Sequence, residues 1–252
     1  MNPAPAITAV HAPPAPPGLA IAFILLVAIL YVGVLSWLRG PAAIAPHRVT
    51  VVRVALFAWL VLAAVLAMAG LLENFQTMPP RVALVVVPAV LIGLIVALHP
   101  ATGPVLDRTS GLWLVGFQAF RVPMELILWQ LAAARVIPIS MTFEGRNFDI
   151  LVGLTAPLVA WLAFARKWTS PGPVILWNVF GLALLGNVVT LGAFSAPTTF
   201  RRFFDGPPNE MIAYFPFVWL VSFVVPLAVT GHVASIRQQV RELKAARAAP
   251  QG

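Results

Sequence analysis

Seven apolar runs, separated by short polar breaks, divide the chain, and nothing else in it constrains the fold as strongly. A hydrocarbon layer about 30 Å thick takes roughly 20 helical residues at about 1.5 Å rise each. Lipid offers no partner to a backbone N–H or C=O, so only unbroken helix or a closed barrel can cross it. The runs cover Gly18 to Leu38, Val54 to Leu72, Val82 to Leu98, Gly111 to Ala134, Phe148 to Ala165, Val174 to Phe194 and Ile212 to Ile236. Hydrophobic residues make up 60% of the chain and charged residues 10%, against roughly 25% charged in soluble domains. The expected fold is therefore all-α, a polytopic membrane protein built as a seven-transmembrane-helix bundle. Pro88, Pro123, Pro157, Pro216 and Pro226 fall inside predicted spans, where each removes a donor and bends the helix.

Orientation follows from basic residues, which are retained on the cytoplasmic side of short loops. Arg39, Arg48, Arg53, Arg108, Arg166, Lys167, Arg237, Arg241, Lys244 and Arg247 fall on one side of the seven runs. The other side holds Arg81, Arg135, Arg146, Arg201 and Arg202. With Asp107 and Glu242 set against the first group, that side carries the whole formal net charge of +8. The N-terminus is thus expected outside and the C-terminus in the cytoplasm. A basic collar of this kind fits the anionic inner leaflet and implies no nucleic acid. Three regions result: a Pro/Ala-rich extracytoplasmic tail at 1–17, a transmembrane domain at 18–236 and a basic cytoplasmic extension at 237–252, which offers a surface for a protein partner. The tail carries no Lys or Arg, unlike a cleavable signal, and is expected to remain.

A charge at bilayer depth costs roughly 2.5 to 3.5 kcal/mol on insertion scales, so intramembrane ionisable residues turn toward other helices and find partners. The fourth run, LWLVGFQAFRVPMELILWQL, contains Gln118, Arg121 and Glu125. At about 100° per residue these three share one helix face, and Arg121 with Glu125 is an i,i+4 pair. Arg121 would sit roughly 15 Å and Glu125 roughly 21 Å above the cytoplasmic edge. Glu144, Arg146, Asn147 and Asp149 follow in MTFEGRNFDI, at the outer mouth above that pair. Taken singly, Asn147 and Asp149 are expected to cap the fifth helix. Asn187 in the sixth run lies level with Glu125, while Asn178 faces the opposite way and is expected to serve packing. A pocket open to the outer side is the reading, with Arg121 as the anion contact and Glu125 as counter-ion or proton acceptor. The ligand expected is a small polar molecule or ion, for transport or sensing; the alternative is a non-catalytic scaffold whose polar residues only lock helices.

Other chemistry is sparse. No cysteine is present, which excludes disulfides, thiolate nucleophiles and Cys-ligated metal clusters. His47, His99 and His232 fall near the cytoplasmic ends of runs without an i,i+3 or i,i+4 pair, and His11 lies in the tail, so neither a metal nor a cofactor is expected. The last run has no lysine for a retinal Schiff base, and no nucleophile elbow, phosphate loop or HExxH occurs, which argues against an enzyme.

FRVPMELILW, MTFEGRNFDILVGLTAP and NEMIAYFPFVWLVSFVVPLAVTGHVASIRQ resemble stretches of a family of uncharacterised bacterial multi-pass inner-membrane proteins of about seven helices. The resemblance runs from about Phe117 to Gln238, with MTFEGRNFDI and YFPFVW its most specific parts. It implies a bacterial inner-membrane location and a shared role for the polar residues above, and it carries no assigned function.

Overall fold

The computed structural model describes residues 13–39 and 45–248; the expected tail, up to residue 12 and with His11, lies outside the described residues, as do 249–252. Among the described residues the chain is helix and loop without strand. Helices α1 (Pro17–Arg39) and α2 (Pro46–Met68) lead to α3 (Ala83–Leu98), which a turn at Pro100–Thr102 joins to the short α4 (Gly103–Arg108). The fourth run is split: α5 (Gly111–Gly116) passes through a tight turn at Phe117–Phe120 into α6 (Arg121–Ala133). Then come α7 (Ile150–Ala160), widened at Trp161–Ala165, α8 (Pro171–Ser195), a second wide turn at Leu220–Val224 and α9 (Val225–Ala248).

Five of these helical stretches are long and apolar enough to cross a membrane: Pro17–Arg39, Pro46–Met68, Gly111–Ala133, Pro171–Ser195 and Leu220–Ala248. A sixth is formed if Ala83–Leu98 and Pro100–Arg108, bent by 64°, are one broken span, and Ile150–Ala165 is apolar but shorter. Every expected run thus coincides with helix, while length and composition support five or six crossings. Two helix starts differ most from expectation. The second helix starts at Pro46, where the fixed ring angle suits a first turn, eight residues ahead of Val54. The last long stretch starts at Leu220, so Pro216 lies before the helix rather than inside it.

Prolines that do lie in helices leave carbonyls to be satisfied by neighbours. Pro226 cannot bond the Ser222 carbonyl one turn back, and the Trp59 indole N–H from α2 donates to that oxygen at 2.9 Å. Trp219 returns the contact, donating to the Leu60 carbonyl at 2.8 Å. Phe23, Val27, Leu128, Leu131, Phe217 and Val218 pack in one buried cluster joining α1, α6 and the approach to α9. α1, α2 and α3 turn Ile29, Phe57, Leu84 and Ile95 outward, as a surface against hydrocarbon requires.

α9 packs between α8 and α3. It is tied to the bundle as far as Arg241, beyond which its residues are mostly exposed. Arg237 donates to the carbonyls of Ala97 and His99 at 2.8 and 2.9 Å and to Thr102 Oγ1 at 2.8 Å, which closes the C-terminus of α3 where the chain bends. Gln238 reaches the Leu106 and Thr109 carbonyls, and Arg241 grips Asp107 through Nε at 2.9 Å and Nη2 at 2.5 Å. Arg241 accordingly holds the Asp107 carboxyl below the usual carboxylate range.

Candidate functional site

Arg121, Glu125 and Gln118 are turned inward: Arg121 and Glu125 are each 2% exposed and Gln118 is wholly buried. The partners differ from the helical pairing expected. Arg121 forms its ion pair with Asp149 at the start of α7, and its Nε donates to Gln118 Oε1 at 3.2 Å. Gln118 in turn donates to the Ala228 carbonyl of α9 at 3.3 Å. Glu125 is held by Asn147, whose Nδ2 donates to both carboxylate oxygens at 2.9 Å and to the Met141 carbonyl at 3.1 Å.

Small residues make these contacts reachable. A Cβ on Gly153 would lie 2.8 Å from the Val122 nitrogen and 3.1 Å from Arg121 Cβ, so α7 sits directly on α6 at the height of Arg121. Asp149, one turn before Gly153 on the same face, is thereby brought to the guanidinium. In the loop, a Cβ on Gly145 would come within 2.3 Å of the Ile139 carbonyl oxygen, so the TFEGRN turn closes tightly only with glycine there. The Thr142 carbonyl accepts from the nitrogens of Gly145 and Asn147, at 2.9 and 3.1 Å, and aims the Asn147 amide at Glu125. The loop is anchored from outside by Asp205, which accepts from the nitrogen and hydroxyl of Ser140 at 2.7 and 3.1 Å.

The expected capping roles are corrected by this arrangement. Asp149 stands at the N-cap position of α7, but its carboxylate makes no cap bond and goes to Arg121 instead, since a buried guanidinium is the more demanding partner. Asn147 Oδ1 accepts from the Asp149 nitrogen at 3.0 Å, a local turn that starts the helix.

Three residues expected at the site stand apart from the buried cluster. Glu144 and Arg146 are exposed, and Arg146 stacks its guanidinium 5.2 Å over the Phe203 ring. Asn187 is half-buried and donates to the Arg146 carbonyl at 2.8 Å, which clasps α8 to the loop. A glycine at 145 forces a tight reversal, and that reversal turns the side chains of positions 144 and 146 outward while 147 points in.

A cavity of about 380 Å³ adjoins the cluster. Arg121, Glu125 and Asp149 form one part of its wall, and Phe120, Met124, Leu128, Val86, Leu185 and Val224 are among its apolar residues. Met78, Pro80, Thr198 and Phe200 line its far end, at the loops following α2 and α8. Arg121 Nη2 and Asn209 Oδ1, both in residues that line the cavity, are buried polar atoms without a hydrogen-bond partner. Asn209 is 1% exposed and was not anticipated; its place in a Pro-flanked loop after a run gave no periodic signal.

A second buried polar group was also unforeseen as a unit. His232 Nδ1 lies 2.8 Å from Asn178 Oδ1, and Asn178 Nδ2 donates to Ser235 Oγ at 3.0 Å and to the Val174 carbonyl at 2.8 Å. The ring packs on Gly181, where a Cβ would fall 2.4 Å from Cε1. An amide oxygen only accepts, so a neutral His232 carries its proton on Nδ1. His47 and His99 are exposed, and among the described residues no group of three His, Asp or Glu side chains is placed to hold a metal ion. Asn178 does lock packing, as its position suggested, between α8 and α9.

Residues 78–240 match the model of a domain of unknown function, DUF8737. The chain belongs to that family. The DUF8737 region begins just before α3 and reaches α9, so it contains every buried polar residue described above, while α1 and α2 lie ahead of it. No curated protein and no solved structure matches the chain. The family assignment agrees with the resemblance carried by the stretch from Phe117 to Gln238.

Proposed function

We propose that this DUF8737 protein is a seven-span protein of the bacterial inner membrane that binds a small molecule, for transport or sensing, in the cavity beside Arg121, Glu125 and Asp149. The observation that carries the reading is Arg121 itself. A guanidinium 2% exposed, paired to Asp149 and still holding a free Nη2 in a residue lining a cavity, is a costly arrangement in a membrane, and one that a ligand would complete. Ordinary helix locking needs neither the cavity nor the unfilled donor. Support for the outer side as the side of access comes from Thr198 and Phe200 at its far end and from the ten-to-five excess of basic residues on the opposite loops.

Two experiments test this. Because the chain has no cysteine, single replacements Arg166→Cys and Arg202→Cys report topology without background. Labelling of intact spheroplasts by an impermeant maleimide is expected at position 202 and not at 166, and the reverse pattern overturns the orientation. For the site, a thermal-shift screen on purified protein is expected to yield a ligand that raises Tm in the wild type by mass action and loses its effect in Glu125→Gln. A scaffold gives no such ligand, although Arg121→Met still lowers its stability.

A further inference from the structure

We infer that the occupant of this cavity is a single-chain amphiphile whose head is uncharged and carries both a hydroxyl donor and an oxygen acceptor, as in a protonated fatty acid, a long-chain alcohol or a prenylated hydroquinone. The inference rests on the cavity being a ligand site, as proposed above, and names what fits it. The volume, about 380 Å³, falls within the range of about 300 to 1,000 Å³ of small-molecule sites. Most of its wall is hydrocarbon from α3, α6, α8 and α9, which favours an apolar body over a free polar solute or ion.

The polar portion sets the head. Arg121 Nη2 is a free donor and Asn209 Oδ1 a free acceptor, both buried. Glu125 is hydrogen-bonded only by the neutral Asn147 amide and lines the same cavity. The positive charge of Arg121 is already matched by Asp149. An anionic head would add a third negative charge near Glu125 and Asp149 against the single charge of Arg121, and a cationic one, having no acceptor, would leave Arg121 Nη2 unfilled. At low dielectric the first is costly without a further counter-ion, and the second keeps a buried donor unsatisfied. A neutral hydroxyl or carboxyl group accepts from Arg121 and donates to a carboxylate or to Asn209, which satisfies the free atoms without changing the charge of the site.

Access from the lipid is also built in. Val87 on α3 and Val189 on α8 line the cavity and are 50% and 47% exposed, so part of its wall is accessible surface between two apolar helices.

The test is equilibrium binding to wild-type protein in phosphatidylcholine nanodiscs. The probes are palmitic acid under acidic conditions, hexadecanol, a prenylated hydroquinone, dodecyl phosphate, dodecyltrimethylammonium, and acetic acid as a head without a tail. Saturable binding is expected for one or more of the three neutral long-chain probes and identifies which source is preferred; acetic acid and the two charged amphiphiles are expected to bind at least about tenfold more weakly, a difference of about 1.4 kcal/mol. Val86→Trp, which fills the apolar part and leaves the polar cluster intact, is expected to abolish binding with Tm retained, and Asn209→Leu to weaken it. Tighter binding of dodecyl phosphate or of the ammonium, or wild-type binding by Val86→Trp, overturns the inference. A water-soluble solute that stabilises the wild type but not Glu125→Gln would overturn it while leaving the proposed function standing. If no amphiphile and no solute stabilises the protein, both fall.

Discussion

Arg121 bonds Asp149, twenty-eight residues away at the start of α7, and not Glu125 one turn along its own helix. The choice makes the ion pair a link between helices. Breaking a buried pair by removing one partner costs about 3 to 5 kcal/mol, because the other charge is left uncompensated. Arg121→Met and Asp149→Asn should each lower stability by that order, and the double variant by clearly less than the sum. Glu125→Gln, which keeps an oxygen for the Asn147 amide, should cost much less. A double-mutant cycle on unfolding in mixed micelles measures both; stronger coupling of Arg121 to Glu125 than to Asp149 would refute the pairing.

Gly153 is what lets that link form. Gly153→Leu would push its side chain into the Val122 backbone and Arg121 Cβ, and crowding of this kind typically costs about 1 to 3 kcal/mol. The expected signature is specific: Gly153→Leu should reduce the coupling between Arg121 and Asp149 in the same cycle, whereas Gly186→Leu, at a glycine with nothing within 4 Å, should leave it unchanged.

How much of this could be read from residues alone depended on distance along the chain. Apolar runs declared the helices because lipid imposes one length and one backbone solution. Burial of Gln118, Arg121 and Glu125 was equally legible, since shared helical phase needs only local geometry. Their partners were not. Asp149 reaches Arg121 through the contact of Gly153 with α6, a tertiary approach with no trace in local periodicity, and Asn147 reaches Glu125 through a reversal at Gly145. The same reversal explains why Glu144 and Arg146, dense in charge next to the site, face outward. Asn209 and the His232–Asn178 pair depend on how α8, α9 and the intervening loop pack, and spacing within one helix is silent on that.

At the opposite end, the Asp107 and Arg241 pair ties α9 to α4. Asp107 ionises more readily in the folded protein than in an unfolded chain, so its contribution is complete above the ordinary carboxylate pKa of about 4 and declines as pH falls through its lower folded value. Once the intrinsic slowing of amide exchange at lower pH is divided out, acidification should therefore lower the protection of residues 238–248, and Asp107→Asn should show that lower protection already at neutral pH. Protection in Asp107→Asn that still falls on acidification as in the wild type would assign the effect to another group.

Trp59 and Pro226 offer a sharper check, because the indole N–H occupies a carbonyl that the proline cannot use. In Trp59→Phe the Ser222 carbonyl keeps no donor from α2, and buried hydrogen bonds in membrane proteins are worth roughly 0.6 to 2 kcal/mol. Pro226→Ala restores a backbone N–H within one turn of that oxygen. Trp59→Phe should thus be destabilising in the wild-type background and nearly neutral in Pro226→Ala, giving a positive coupling between residues on different helices. Unfolding of the four proteins by titration with denaturing detergent measures it, and simple additivity would mean that the indole contributes packing area alone.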